Sequence, residues 1–181
     1  MKSQSPLVVL ISGKAGSGKD TFAGMLTDEL EQAYGKKVCT THYADSLKYI
    51  LRSYFSWDSK KDSCGRELLQ VTGDTFRANN EDFFVNFVVD TLHSIGYLWD
   101  IVLIPDARFK NEVEKVKAAF KTVTVRVERM DCSDETAFWR RHKSENELDD
   151  YDFDYVVENL TLESLRSEAD WVASEIMEGC G

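Results

Sequence analysis

The stretch LVVLISGKAGSGKDT, residues 7–21, runs five consecutive apolar residues into a turn crowded with glycine and lysine. An unbroken apolar run from Leu7 to Ile11 reads as a strand buried on both faces. Gly13, Lys14, Ala15, Gly16, Ser17, Gly18 and Lys19 then follow the order of a phosphate-binding loop. Glycines let successive backbone N–H groups turn inward on an anion, and the helix leaving near Asp20 adds its positive end. Lys19 is placed to reach the β- and γ-phosphates of ATP as a point charge. The eighth position departs from the pattern, which wants a hydroxyl there. Asp20 occupies it, and Thr21 comes one residue late. A carboxylate is also a hard oxygen, so either Asp20 or Thr21 is a candidate ligand for Mg²⁺, directly or through water. The alternative for Asp20 is an acid favoured at a helix start by the helix dipole.

Beyond the loop, short apolar runs alternate with helical patterns. Strands are expected at 7–12, 37–43, 99–106, 122–129 and 154–159, the second less apolar and nearer an edge. Helices are expected from the loop to about Tyr34, at 46–55, 66–72 and 81–95, from near Lys110, over 133–142, and through the closing seam of Leu162, Leu165, Ala169, Val172 and Ile176. Strands separated by helices imply right-handed crossovers. The expected fold is an α/β three-layer α/β/α sandwich around a five-stranded parallel sheet, with residues 1–181 forming one domain.

Composition narrows the partners. The 22 basic and 32 acidic residues give a net charge of −10, which repels nucleic acid and anionic membrane on average. An anionic substrate must therefore be captured by local cations. No apolar run approaches the ~18 residues of a membrane span. Cys39, Cys64, Cys132 and Cys180 are scattered without zinc spacing and read as reduced thiols of a cytoplasmic protein.

Several further stretches carry a resemblance. GKAGSGKDT (13–21), YADSLK (43–48), GRELLQVTGDTFR (65–77), IPDARFKNEVE (104–114) and RRHKSENEL (140–148), running into DYVVEN (154–159), together resemble the bacteriophage-type deoxynucleoside monophosphate kinases. They span most of the chain in that family's order. The resemblance implies a P-loop nucleoside monophosphate kinase fold, with a helical acceptor-binding insertion at about 45–96 and a lid at about 130–150. It implies ATP and Mg²⁺ as cofactors and a deoxynucleoside monophosphate as acceptor, in the host cytoplasm if the chain is phage-encoded. Asp45 and Lys48 would line the acceptor pocket, with Gln70, Thr72 and Asp74 as nucleoside contacts. Glu145 belongs to the H-x-S-E element on the substrate side, although a solvated polar face also explains it. Asn159 would lie in the adenine-binding loop.

Residue chemistry points the same way. A monophosphate acceptor already offers an anionic oxygen and needs no carboxylate base; the difficulty is bringing two anions together. Arginines answer that need. Arg66 and Arg77 flank the 65–77 segment, Arg108 follows the third strand, Arg129 ends the fourth, and Arg140 and Arg141 lie in the expected lid. Arg66, Arg77 and Arg108 are assigned to the acceptor phosphate, Arg129 to ATP, and Arg141 to the transferring group. Asp106, ending an apolar strand, is a second candidate metal ligand or a turn residue. The run 145–154, with six acids, reads as a solvated acidic loop. The 56–80 and 130–150 segments are expected to move with substrate. Two other functions stay open: a P-loop kinase for a modified nucleotide or phosphorylated metabolite, and a non-catalytic ATP-binding regulator. No pattern sets the oligomeric state, and a homodimer remains open.

Overall fold

A computed structural model describes residues 5–60, 62–129 and 141–179. The expected residue Arg140, most of the expected 133–142 helix, Cys132 and Cys180 lie outside them. Five strands form one sheet: β1 (Leu7–Ser12), β2 (Val38–Thr40), β3 (Ile101–Ala107), β4 (Thr122–Glu128) and β5 (Tyr155–Glu158). Their order is β2-β3-β1-β4-β5 and every pairing is parallel. The shortest strand, β2, is an edge, as its weaker apolar character predicts.

Helices cover both faces: α1 (Lys19–Gln32), α2 (Ala44–Phe55), α3 (Ser63–Asn79), α4 (Phe83–Ile95), α5 (Lys110–Ala119), α6 (Lys143–Asn146) and α7 (Leu162–Glu178). Alternate residues of β1 feed two cores, as a period of two demands. Leu7, Val9 and Ile11 pack with Phe22, Leu26 and Leu30 of α1 and with the apolar seam of α7. Val8 and Leu10 pack on the other face with Phe84 and Val88 of α4 and Val113 and Val116 of α5. Fully burying each of these side chains contributes about 1.5–3 kcal/mol. The three-layer sandwich read from the sequence is therefore the fold. α3 is longer than the expected 66–72 helix because Asp62 caps it, accepting the Gly65 N–H at 2.8 Å.

Placing β1 at the centre matters for function. The chain runs from β1 to β2 on one side of the sheet and reaches β4 and β5 on the other, so the order reverses at β1. Ligand crevices of such sheets open at the carboxyl ends of strands beside that reversal.

Candidate active site

The residues after β1 make the expected turn. Gly16 and Gly18 have φ of 84° and 94°, a region open to glycine and strained for other residues. A Cβ on Gly16 would meet open space, whereas one on Gly18 would strike the Asn159 amide. Gly18 caps α1, and its carbonyl accepts the Phe22 N–H at 2.8 Å. Asn159 holds the loop from behind: its Nδ2 donates to the Ser17 carbonyl at 2.8 Å. That bond makes Asn159 a support of the loop.

Lys19 is the first residue of α1 and only 8% exposed. Its Nζ donates to the Lys14 carbonyl at 3.4 Å. Burial, followed by the neighbouring Arg108 guanidinium, brings its pKa down to about 8. Lys14 points elsewhere: its ammonium lies 3.1 Å from Asp149 Oδ2, so it braces the 145–154 segment. Arg126 of β4, buried and unforeseen in the sequence, grips the same carboxylate at 2.7 Å and donates to Ser12 Oγ at 3.3 Å.

A cavity of about 250 Å³ opens beside Ala15, Gly16 and Lys19. α2 contributes Lys48, α3 contributes Arg66, Gln70 and Arg77, and the end of β3 contributes Asp106 and Arg108. Glu145 enters from α6, and Asp20 from the start of α1. Gly13, Lys14, Ser17, Gly18, Thr21, Asp45, Arg129, Arg141 and Asn159 are not in this lining. Thr21, Arg129 and Arg141 are exposed. Asp45 instead accepts Lys48 Nζ at 2.9 Å and lies 3.2 Å from His42 Nδ1. It therefore positions a lining residue without reaching the cavity.

Asp106 has a task that its sequence position concealed. Its two oxygens accept the N–H groups of Tyr43 and Ala44 at 2.9 and 3.0 Å, capping α2 from another strand. Asp20 is the more available hard-oxygen donor, its side chain 66% exposed beside Lys19. Among the described residues no three His, Cys, Asp or Glu side chains form a ready-made metal cluster. A single carboxylate suits Mg²⁺, which is commonly held by one or two carboxylates together with substrate phosphates.

The acidic run is solvated only in part. Asp149, Asp150, Asp152 and Asp154 are exposed, as expected of a solvated loop. Its apolar residues are packed: Leu148 is buried, and Tyr151 and Phe153 meet edge to face. Asp154 accepts the Thr124 N–H at 2.8 Å. Glu145 does not sit on a solvated polar face. It is buried, its Oε2 accepts the Ala15 N–H at 2.9 Å, and its Oε1 takes Arg108 Nη1.

Besides Arg126, two further residues escaped sequence reasoning. Glu112, buried on α5, accepts Arg108 N–H at 2.8 Å and Phe109 N–H at 3.1 Å through Oε2, and Arg77 Nη2 at 3.3 Å through Oε1. It shapes the turn that presents Arg108. The signal was present in DARFKNE, where a glutamate three residues after the helix cap reaches back to the first N–H groups. His42 lines the cavity between Asp20 and Asp45, and its pKa is raised chiefly by bonding to Asp20 against the opposing effect of burial. No spacing rule marks such a histidine.

Sequence comparison is silent: no family profile and no curated protein matches the chain. Structural comparison is not. The APS kinase CysC of Mycobacterium tuberculosis superposes with a TM-score of 0.52 at 16% identity, over 96% of this chain and 99% of that one. The same kinase in complex with AMPPNP and APS gives 0.52 at 14%, over 96% of each chain. A gluconokinase from Sinorhizobium meliloti 1021 gives 0.53 at 13%, over 98% of this chain and 97% of its own. This chain shares the fold of these kinases. At such identities the likeness extends to the fold alone. No helix among the described residues is long and apolar enough to cross a membrane.

Proposed function

We propose that this protein transfers the γ-phosphoryl group of ATP to the phosphate of a deoxynucleoside monophosphate, giving the diphosphate and ADP. One observation carries the reading. In a chain of net charge −10, Lys19, Lys48, Arg66, Arg77 and Arg108 converge on one cavity beside an anion-binding turn. Four carboxylates, of Asp20, Asp74, Asp106 and Glu145, share the lining. The five cations still leave a local positive excess inside an acidic molecule, and that suits two anions that must meet.

The loop N–H groups and Lys19 hold the ATP phosphates. Lys48 and Arg66, from α2 and α3, receive the acceptor phosphate, and Gln70 faces the nucleoside. Arg108 stands between the halves, where charge moves from one to the other. An acceptor oxygen attacks the γ-phosphorus as the bond to the β-bridging oxygen breaks; the leaving charge stays on ADP. No base is needed because the acceptor oxygen is already ionised. Leu47, Leu69 and Phe109 in the lining exclude water that would otherwise hydrolyse ATP. Mg²⁺, when bound, neutralises β- and γ-oxygens, and Asp20 is the residue to hold it.

A second acceptor class, a small molecule bearing a hydroxyl, is favoured by Asp74. This carboxylate lines the acceptor side and lies 2.7 Å from His142 Nε2, the kind of base a hydroxyl acceptor requires. ADP release measured with the four dNMPs, dUMP, ribonucleoside monophosphates, APS and gluconate decides the matter. ADP formed with dNMPs and absent without acceptor supports the proposal; ADP with a hydroxyl acceptor alone overturns it. No ADP with any acceptor, despite ATP binding, would indicate a regulator.

A further inference from the structure

Glu145 is the residue whose placement the transfer reaction does not account for. A carboxylate has no attractive partner on a phosphate, yet this one is buried against the phosphate-binding turn. Its Oε2 accepts the Ala15 N–H at 2.9 Å, and its Oε1 holds Arg108 Nη1, which also donates to the Ser144 carbonyl at 3.1 Å. An anionic oxygen pair shared between a loop amide and a guanidinium repeats the bonding of a bound phosphate.

The surrounding segment keeps it there. His142 is bonded to Asp74 at 2.7 Å, Glu147 accepts the Lys110 N–H at 3.2 Å, and Leu148 is buried. Asp149 is clamped between Lys14 at 3.1 Å and Arg126 at 2.7 Å. The carboxylate is thus delivered to the turn by a strap anchored on both sides of it.

We infer that Glu145 is a specificity-determining residue: an internal anion that holds the Ala15 amide and Arg108 until a ligand phosphate displaces it. The inference rests on reading the turn as the ATP-phosphate site. Displacement frees Arg108 for the transferring group in the same event that seats the nucleotide. A ligand of low charge gains too little from the turn to evict the carboxylate, so the residue sets a charge threshold for admission.

The test is calorimetric titration of the full chain and its Glu145→Gln and Glu145→Ala variants with tripolyphosphate and with ATP. Removing the competing charge is expected to tighten tripolyphosphate binding about tenfold, the worth of one charge-assisted contact. Thermal stabilisation by tripolyphosphate should grow in step. A residue that merely supports the turn, or binds substrate, gives the opposite sign. Unchanged or weaker binding by Glu145→Gln, with wild type binding both ligands, overturns the inference and leaves the ATP site standing. Failure of every form to bind either ligand overturns both. Loss of cooperative unfolding in the shape-preserving Glu145→Gln variant would assign the contact a structural role and also overturn it.

Discussion

Arg77 and Glu112 meet across the seam between α3 and α5, Nη2 lying 3.3 Å from Oε1, with Glu112 buried and the guanidinium 4.0 Å from the centre of the Phe109 ring. Removing one member of such a pair strands the other. Glu112→Ala is expected to cost about 3–5 kcal/mol of stability in urea denaturation, with Glu112→Gln costing less because it can still accept the backbone N–H groups.

The same glutamate gives a pH signature. Burial pushes its pKa up to about 7, from 4.5. The folded protein therefore binds a proton there that the unfolded chain has released. Its contribution to stability is complete below about pH 4.5 and is lost as pH rises through about 7. Unfolding free energy followed between pH 4.5 and 7.5 should show this decline in wild type and a flatter profile in Glu112→Gln.

Lys19 predicts proton uptake. Its pKa of about 8 must rise when phosphates surround it. ATP binding just above pH 8 should thus take up a proton, detected by calorimetry in buffers of different ionisation enthalpy. Lys19→Met should abolish the uptake. Lys19→Ala should lower phosphoryl transfer by about a hundredfold or more, as loss of a preorganised charge at the reacting centre does.

Arg66 and Arg108 should separate in kinetics. Arg66→Ala is expected to raise KM for the acceptor about 10- to 100-fold with KM for ATP little changed, the loss of one charge-assisted bond. Arg108→Ala should lower kcat by a similar factor, because its guanidinium serves the moving charge. Steady-state rates with each substrate varied in turn provide the check.

Asn159→Ala removes the bond to the Ser17 carbonyl and should cost about 1 kcal/mol in stability while raising KM for ATP. Gly18→Ala forces a side chain into the left-handed region and against the Asn159 amide. It should cost about 1–2 kcal/mol and weaken ATP binding more than Asn159→Ala does. Thermal denaturation with and without ATP reads both.

The sheet and the loop were legible because local signals suffice for them: an unbroken apolar run, glycines at fixed places, and helices of clear period. The arginines were legible in part: Arg66, Arg77 and Arg108 share a cavity, whereas Arg129 and Arg141 are exposed outside its lining and Arg140 lies outside the described residues. What escaped was the use of polar groups across long sequence separations. Asp106 caps a helix about sixty residues earlier, and Glu145 reaches an amide 130 residues away. Nothing in the spacing of a carboxylate says which distant donor it will meet. Arg126 was invisible for a related reason: in TVTVRVE its charge suggests the solvent side of a strand, whereas Ser12 and Asp149 pair it indoors.

The position of β1 has a dynamic consequence. Hemmed by β3 and β4 and covered on both faces, the amides of Val8–Ile11 should surrender their hydrogens to deuterium only when the whole molecule unfolds. The three-residue rim strand β2 has far less to lose, and α2 hangs from it, pinned to the interior through Asp106. Amides of β2 and of the first turn of α2 should therefore exchange by local opening, well before those of β1.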